Sequence, residues 1–261
     1  MLKLLRSFLE SRFEPELIPA VPDGQRVYAV GDIHGRHDLL CQMIARIEAD
    51  EVDRPPADTT VILLGDLVDR GPESARVIAT AREWATRRCV RILAGNHEEM
   101  FLGSFERDET LRHFLRHGGR ETLLSYPLAP DVYSRATLEE LRAIMHDVVP
   151  TEDIEFMRSM EDRIQIGDYV FVHAGVRPGI PLEEQKISDL RWIRGEFIEG
   201  PETRDFAVVH GHTILDAPHV SSLRISLDTG AYASGLLTAI GLEGTARWLL
   251  SVQGDPAAEA A

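Results

Sequence analysis

Five apolar runs in this chain each end in a short polar segment rich in Asp, Asn or His, and that repetition restricts the fold more than any other feature. Val27–Val30 leads into Gly31-Asp32-Ile33-His34-Gly35. Val61–Leu64 leads into Gly65-Asp66-Leu67-Val68-Asp69-Arg70-Gly71, and Val90–Leu93 into Gly95-Asn96-His97-Glu98. Tyr169–Val172 precedes His173-Ala174-Gly175, and Phe206–Val209 precedes His210-Gly211-His212. Runs of this length read as buried strands. Side chains at strand ends are held rigidly and face the crevice where open α/β sheets take their ligands. Scattered core histidines would not repeat that placement, so the segments predict one shared site.

Between the runs the periodicity turns helical. Leu39, Leu40, Met43, Ile44 and Ile47 fall on one face, closed by Arg54-Pro55-Pro56. A second helix is predicted from about Ser74 to Arg88, with Val77, Ile78, Ala81 and Trp84 inward. Strands alternating with crossover helices predict parallel pairing and an α/β fold. From Glu99 to about Arg163 helical spacing continues in Phe101, Leu102 and Phe105 and again in Leu138, Leu141, Ile144 and Met145, with breaks at Gly118-Gly119 and Pro127. This reads as a helical insertion over about 99–163 that leaves one polar loop, returns just before another and overhangs the site. From Tyr169 onward the chain is strand-rich. Leu223–Leu227, Leu236–Leu242 and Thr245–Val252 are expected to join Tyr169–His173 and Phe206–His210 in a second, mixed or antiparallel sheet. No Gly/Ser linker separates the halves, and the site draws on both. The expected organisation is an N-terminal extension over 1–24, one domain over 25–252 and a flexible C-terminus over 253–261.

Asp32, His34, Asp66, Asn96, His173 and His212 are oxygen and imidazole donors suited to Mn, Fe or Zn, and the absence of thiolates among them argues against a structural zinc site. A catalytic zinc uses three protein ligands, so six are too many for one ion. Two ions bridged by one carboxylate fit the number. In such a site the ions lie roughly 3.5–4 Å apart, and a water between them ionises near neutral pH and attacks phosphorus in line. Phosphate-ester hydrolysis also needs positive groups on the non-bridging oxygens and a proton for the leaving alkoxide. Arg70 and Arg194 can supply the first and His97 the second, with Asp69 holding the His97 ring in its donating tautomer.

Taken together, Gly-Asp-Ile-His-Gly, Gly-Asp-Leu-Val-Asp-Arg-Gly, Gly-Asn-His-Glu, His-Ala-Gly and Gly-His, in that order from Gly31 to His212, resemble the phosphoprotein phosphatase family of metallophosphoesterases. The resemblance implies a calcineurin-like double β-sheet sandwich flanked by helices. It implies Asp32 and His34 on a first metal, Asn96, His173 and His212 on a second, and Asp66 bridging them. His97 paired with Asp69 would be the general acid. Arg70 and the Arg194 of Trp192-Ile193-Arg194 would bind phosphate, with Arg191 a competitor for the latter role. That last motif and the compact length resemble the bacterial branch. Protein phosphatases of the family carry Asp at position 69 and Glu at position 98, where symmetrical diadenosine tetraphosphate hydrolases commonly have Ala and Asp. Asp69 and Glu98 therefore point to a serine/threonine, and sometimes tyrosine, protein phosphatase, ahead of a dinucleoside polyphosphate hydrolase. An inactive phosphate-recognition module would be expected to lack Asp66, His97 or an arginine, and none is lost.

A net charge of −15 argues against nucleic-acid binding, which depends on cationic groups releasing counterions. It leaves phosphorylated substrates open, because two divalent cations, expected to be Mn²⁺, reverse the sign locally. Cys41 and Cys89 sit in or beside apolar stretches and are expected as reduced, core-filling thiols, which suits a cytoplasmic protein. Met1–Phe13 alternates Leu2, Leu4, Leu5, Phe8 and Leu9 with Lys3, Arg6, Glu10 and Arg12, so it reads as a short amphipathic helix without a signal-peptide core. No run is long enough to cross a membrane. His210 alternates with His212 and should face the other way. His37, His113, His117, His146 and His219 are expected to be surface or structural, and Asp228 structural or in support of the ligands.

Overall fold

Every residue of Val27–Val30 is buried in the computed structural model, which describes residues 18–202 and 204–256. Burial on both faces of a strand explains an unbroken apolar run in place of an alternating one. The chain runs β1 (Gln25–Val30), α1 (His37–Val52), β2 (Asp58–Leu63), α2 (Ser74–Arg87) and β3 (Val90–Ile92). Then come α3 (Asn96–Ser104), α4 (Asp108–Phe114), a helical bend over Leu115–Gly119, α5 (Arg120–Ser125), α6 (Pro130–Arg135), α7 (Leu138–Val148) and α8 (Thr151–Arg158). It finishes with β4 (Arg163–Ile166), β5 (Tyr169–Val172), α9 (Ile187–Trp192), α10 (Gly195–Ile198), β6 (Ala207–His210), β7 (His219–Val220), β8 (Arg224–Ser226), α11 (Ala231–Ser234), β9 (Leu236–Glu243) and β10 (Ala246–Gln253). The amphipathic helix expected over Met1–Phe13 and the last residues of the chain lie outside the described residues.

Two five-stranded sheets form, ordered β10-β9-β1-β2-β3 and β4-β5-β6-β8-β7. β1, β2 and β3 pair in parallel, as the crossover helices require. The second sheet is mixed, with β5, β6 and β8 parallel and β4 and β7 antiparallel at its edges. One expectation is corrected here. Leu236–Glu243 and Ala246–Gln253 belong to the first sheet, where β9 pairs antiparallel with β1 and β10 closes the edge. Without them the unpaired edge of β1 would be an exposed template for another strand. The edge strands β4 and β7 were not anticipated. β4 directly follows the helical insertion, and β7 has only two residues, both exposed.

Three apolar cores separate four layers. Val27, Ala29, Ile62 and Leu64 of the first sheet meet Ile164, Phe171, Val209 and Ile225 of the second between the sheets. The outer face of the first sheet packs under α1, α2 and the insertion, through Leu40, Met43, Val77, Trp84, Phe101, Phe114 and Met145. Val170, Val172 and Val208 pack outward against Leu190, Ile193 and Phe197. The result is the expected double sandwich flanked by helices. The insertion begins α7 with a capping box, in which Thr137 Oγ1 accepts from Glu140 N and Glu140 Oε2 accepts from Thr137 N at 2.8 Å. Cys41 and Cys89 are both exposed, against expectation. Cys41 is on the outer face of α1, one turn after His37 and 3.4 Å from its Nε2, and Cys89 sits in the turn before β3. Among the described residues, no helix is long and apolar enough to cross a membrane.

Candidate active site

The predicted side chains converge from the ends of β1, β2, β3, β5 and β6, so both sheets contribute. Among the described residues the non-glycines with positive φ are His34, Asp66, Asp69, Arg70 and His212, at +46° to +74°. All five come from the predicted site. This backbone region is costly for residues with a Cβ and persists only where the surroundings enforce it. Here the loops are tied to one another: Ile33 N and His34 N both donate to Asp66 O, at 3.2 and 2.9 Å. The buried Glu98 carboxylate accepts from Asp66 N, Leu67 N, Val68 N and Gly95 N at 2.7–3.3 Å. Gly95 has no substitute, because a Cβ there would collide with Asp66 Oδ1.

Asp66 occupies the middle. Its Oδ2 lies 3.5 Å from His34 Nε2 and 3.8 Å from His97 Nε2, while Oδ1 lies 3.4 Å from His173 Nε2. His173 Nε2 is in turn 3.0 Å from Asn96 Oδ1 and 3.2 Å from His212 Nδ1. Two trios with ligand atoms close enough to share an ion result, His34–Asp66–His97 and Asp66–His173–His212. Asp32 lies beside them, with Oδ2 accepting from His212 N at 2.9 Å.

The donor set fits metal. His34 Nδ1 donates to Val68 O at 2.7 Å and His173 Nδ1 to Leu64 O at 2.8 Å, which fixes the tautomers and turns both Nε2 lone pairs into the cluster. Asp32 Oδ1, His34 Nε2 and His212 Nε2 are buried without a hydrogen-bond partner. Buried polar atoms are rarely left so, and bound cations are the partners that such a donor set suits. Burial, followed by the charges of Asp228 and Asp66, pushes the Asp32 carboxyl well above its usual range. Burial works the same way on Asp66, but His173 and His97 outweigh it and hold that carboxyl well below. Burial, His173 and Arg194 push His212 down to about 2, so its imidazole is a neutral donor.

His97 opens α3. Its Nδ1 donates to Asp69 Oδ2 at 2.6 Å, and Thr122 Oγ1 donates to the other Asp69 oxygen at 2.7 Å. Burial opposes protonation of His97, yet Asp66 and Asp69 raise its pKa above the ordinary value. Arg70 Nη2 donates to His97 Nε2 at 3.1 Å. While that bond is made, His97 Nε2 is an acceptor and carries no proton. Its backbone N donates to Gly118 O at 3.1 Å, and Gly118, at φ +102°, leaves no room for a Cβ beside Arg70. The insertion thus reaches the site at the bend the sequence marked as a break. Arg194 is exposed and forms no ion pair among the described residues, whereas Arg191 is engaged by Asp162 at 2.6 Å and Glu99 at 3.2 Å.

Other residues fall where their chemistry suggests. His210 faces away, 2.6 Å from Ser226 Oγ, and burial pushes it down to about 3. Asp228 accepts from Gly230 N at 2.9 Å. Sequence reasoning missed Thr122 behind Asp69 and Tyr232, whose ring lies 4.8 Å from the Arg70 guanidinium carbon and 5.5 Å from the His34 ring. Nothing local to either marks it, since each arrives from a distant part of the chain.

A family model described as calcineurin-like phosphoesterase matches residues 25–235. The asymmetrical bis(5'-nucleosyl)-tetraphosphatase PrpE of Bacillus velezensis is 27% identical over 228 residues, 80% of this chain and 86% of that one. Serine/threonine-protein phosphatase 1 of Salmonella typhimurium is 28% identical over 220 residues, 82% and 90% of the two chains. The crystal structure of a proposed diadenosine tetraphosphatase superposes with a TM-score of 0.63 at 20% identity, covering 88% of this chain and 94% of that chain, a likeness of fold.

Proposed function

The chain belongs to the calcineurin-like phosphoesterase family, whose hydrolases use a dinuclear metal centre, and we propose that it cleaves dinucleoside polyphosphates. The observation that carries the metal assignment is the division of Asp66, with one oxygen toward His34 and His97 and the other toward His173. We assign Asp32 and His34 to one ion, Asn96, His173 and His212 to the other, and Asp66 to both, with Mn²⁺ first among the metals these donors suit. Such ions supply a water that ionises near neutral pH and neutralise charge on the phosphate. Arg70 and Arg194 bind the non-bridging oxygens. His97, oriented by Asp69, delivers a proton to the leaving oxygen. Residues 25–252 act as one catalytic domain, and the exposed, unbonded Cys41 and Cys89 suit the reducing cytoplasm.

Asp69 and Glu98, which favour a protein phosphatase in the sequence, also have structural work of their own. Both carboxylates are buried, one spent on His97 and Thr122 and the other on loop backbone. The PrpE relative, similar along most of both chains, supports the dinucleotide reading. The Salmonella relative supports a second, phosphoserine/phosphothreonine hydrolysis, to a similar extent. A metal-free preparation reloaded with Mn²⁺ is offered diadenosine tetraphosphate and a set of phosphoserine and phosphothreonine peptides. The expected kcat/KM is at least about tenfold higher for the dinucleotide; the reverse preference establishes the second reading.

A further inference from the structure

A cleft of about 680 Å³ opens between α3, α4 and the end of α9, lined from Glu99 onward, two residues along the chain from His97. Arg107, Arg112, Arg116 and His113 line it from the insertion, and Trp192 from α9. In a chain of net charge −15, those three arginines form no ion pair among the described residues. Glu99 and Glu109 also line the cleft, but Glu99 is occupied by Arg191 Nη1 at 3.2 Å and Trp192 Nε1 at 3.3 Å. Arg112 and Arg116 are four residues apart, a spacing at which like charges on a helical turn disfavour each other. An anion between them would reverse that. The half-buried Trp192 ring lies 6.3 Å from the His113 ring at 39°, so one wall of a cationic cleft is aromatic. Phosphates beside an aromatic platform are the chemistry of a nucleotide, since every base has a face that stacks.

Two stretches of chain and one hydrogen bond tie the cleft to the reacting centre. Glu99 and Met100 follow His97 in the first turns of α3. The bend after Arg116 places the Gly118 carbonyl on Arg70 N. Trp192 stands two residues before Arg194. His97 serves the leaving oxygen, so what lies beyond it receives the leaving group. In hydrolysis the water oxygen bonds to phosphorus, and the bond to the departing phosphate breaks with its electron pair. The departing phosphate oxygen keeps that pair and takes the proton from His97, and the proton lost by water returns His97 to its protonated form.

We propose that this cleft is the leaving-nucleotide subsite: Arg107, Arg112 and Arg116 hold the phosphates of the departing nucleoside polyphosphate, and Trp192 with His113 stacks its base. The subsite rests on the dinucleotide reading above and assigns the residues that would enforce it. The test compares Mn²⁺-loaded wild type with Arg112→Ala/Arg116→Ala, Arg112→Lys/Arg116→Lys and Trp192→Leu. Two readouts are used: the ratio of kcat/KM for diadenosine tetraphosphate to that for p-nitrophenyl phosphate, which cannot fill the cleft, and ATP binding by calorimetry. The double alanine variant is expected to lower the ratio and weaken ATP binding at least tenfold, the lysine variant to recover most of both, and Trp192→Leu to weaken ATP more than it weakens inorganic tripolyphosphate. A ratio and an ATP affinity within twofold of wild type in the double alanine variant overturn the subsite. If wild type cleaves p-nitrophenyl phosphate but not the dinucleotide, the substrate reading falls, while ATP affinity still decides the cleft. A double alanine variant that loses only turnover of acidic phosphopeptides also overturns the proposal.

Discussion

His97 draws its proposed role from its neighbours. Asp69 fixes Nδ1, Asp66 and Asp69 favour the protonated ring, and Arg70 Nη2 sits where a leaving oxygen would be. Replacing His97 by Asn should cost about 10²–10⁴-fold in kcat on alkyl phosphates, which need a proton on the leaving alkoxide, and much less on p-nitrophenyl phosphate. Equal losses on both substrates, measured side by side, would remove the proton-donor role. At this scale the identity of the site residues was legible, because Asp, Asn and His stood directly after apolar runs. Their backbone was not. His34, Asp66, Asp69, Arg70 and His212 adopt positive φ without being glycine, and only hydrogen bonds from other loops impose that. Glu98 shows the same limit. Its place in Gly-Asn-His-Glu was plain, but its work, holding the Asp66–Val68 backbone, depends on a segment some thirty residues away.

The strands and crossover helices of the first half were readable element by element, since burial on both faces and one-sided helices leave distinct periods. Sheet membership was not. β9 is buried along most of its length and would read alike in either sheet, and its pairing with β1 is decided by which edge stands open. The anchoring of that half is also tertiary. Asp50, near the end of α1, accepts from Tyr28 Oη of β1 at 2.7 Å, Arg54 Nε at 2.7 Å and Trp248 Nε1 of β10 at 2.9 Å. Burial opposes its charge, but those three donors hold its pKa below the usual carboxylate value. Asp50→Ala should therefore destabilise the fold by about 1.5–3 kcal/mol near neutral pH, the range for hydrogen bonds to a charged group. A depressed folded pKa contributes stability above the unfolded value, near 3.9, and loses it as pH falls through the folded one. Denaturant unfolding of wild type and variant should therefore differ most at neutral pH and converge in acid. A difference that stays constant down to pH 2 would contradict the role given to the Asp50 charge.

Across the whole molecule, a strongly acidic chain sets Arg70, Arg194 and the three arginines of the cleft, none in an ion pair among the described residues, where anions would be handled. Composition averages over that contrast, so the net charge spoke against nucleic acid without speaking about the site. The candidate metal centre was legible as a convergence of strand ends, together with the sheet that carries each ligand, but the spacing between the donors was not, because that depends on how the two sheets face each other. The most direct test of the account is calorimetric titration of Mn²⁺ into metal-stripped wild type and Asp66→Asn. The account predicts two ions per wild-type chain, and affinities for both reduced at least about tenfold in the variant, since one carboxylate serves both. Two ions bound by Asp66→Asn with wild-type affinity, or a single ion in wild type, would contradict it.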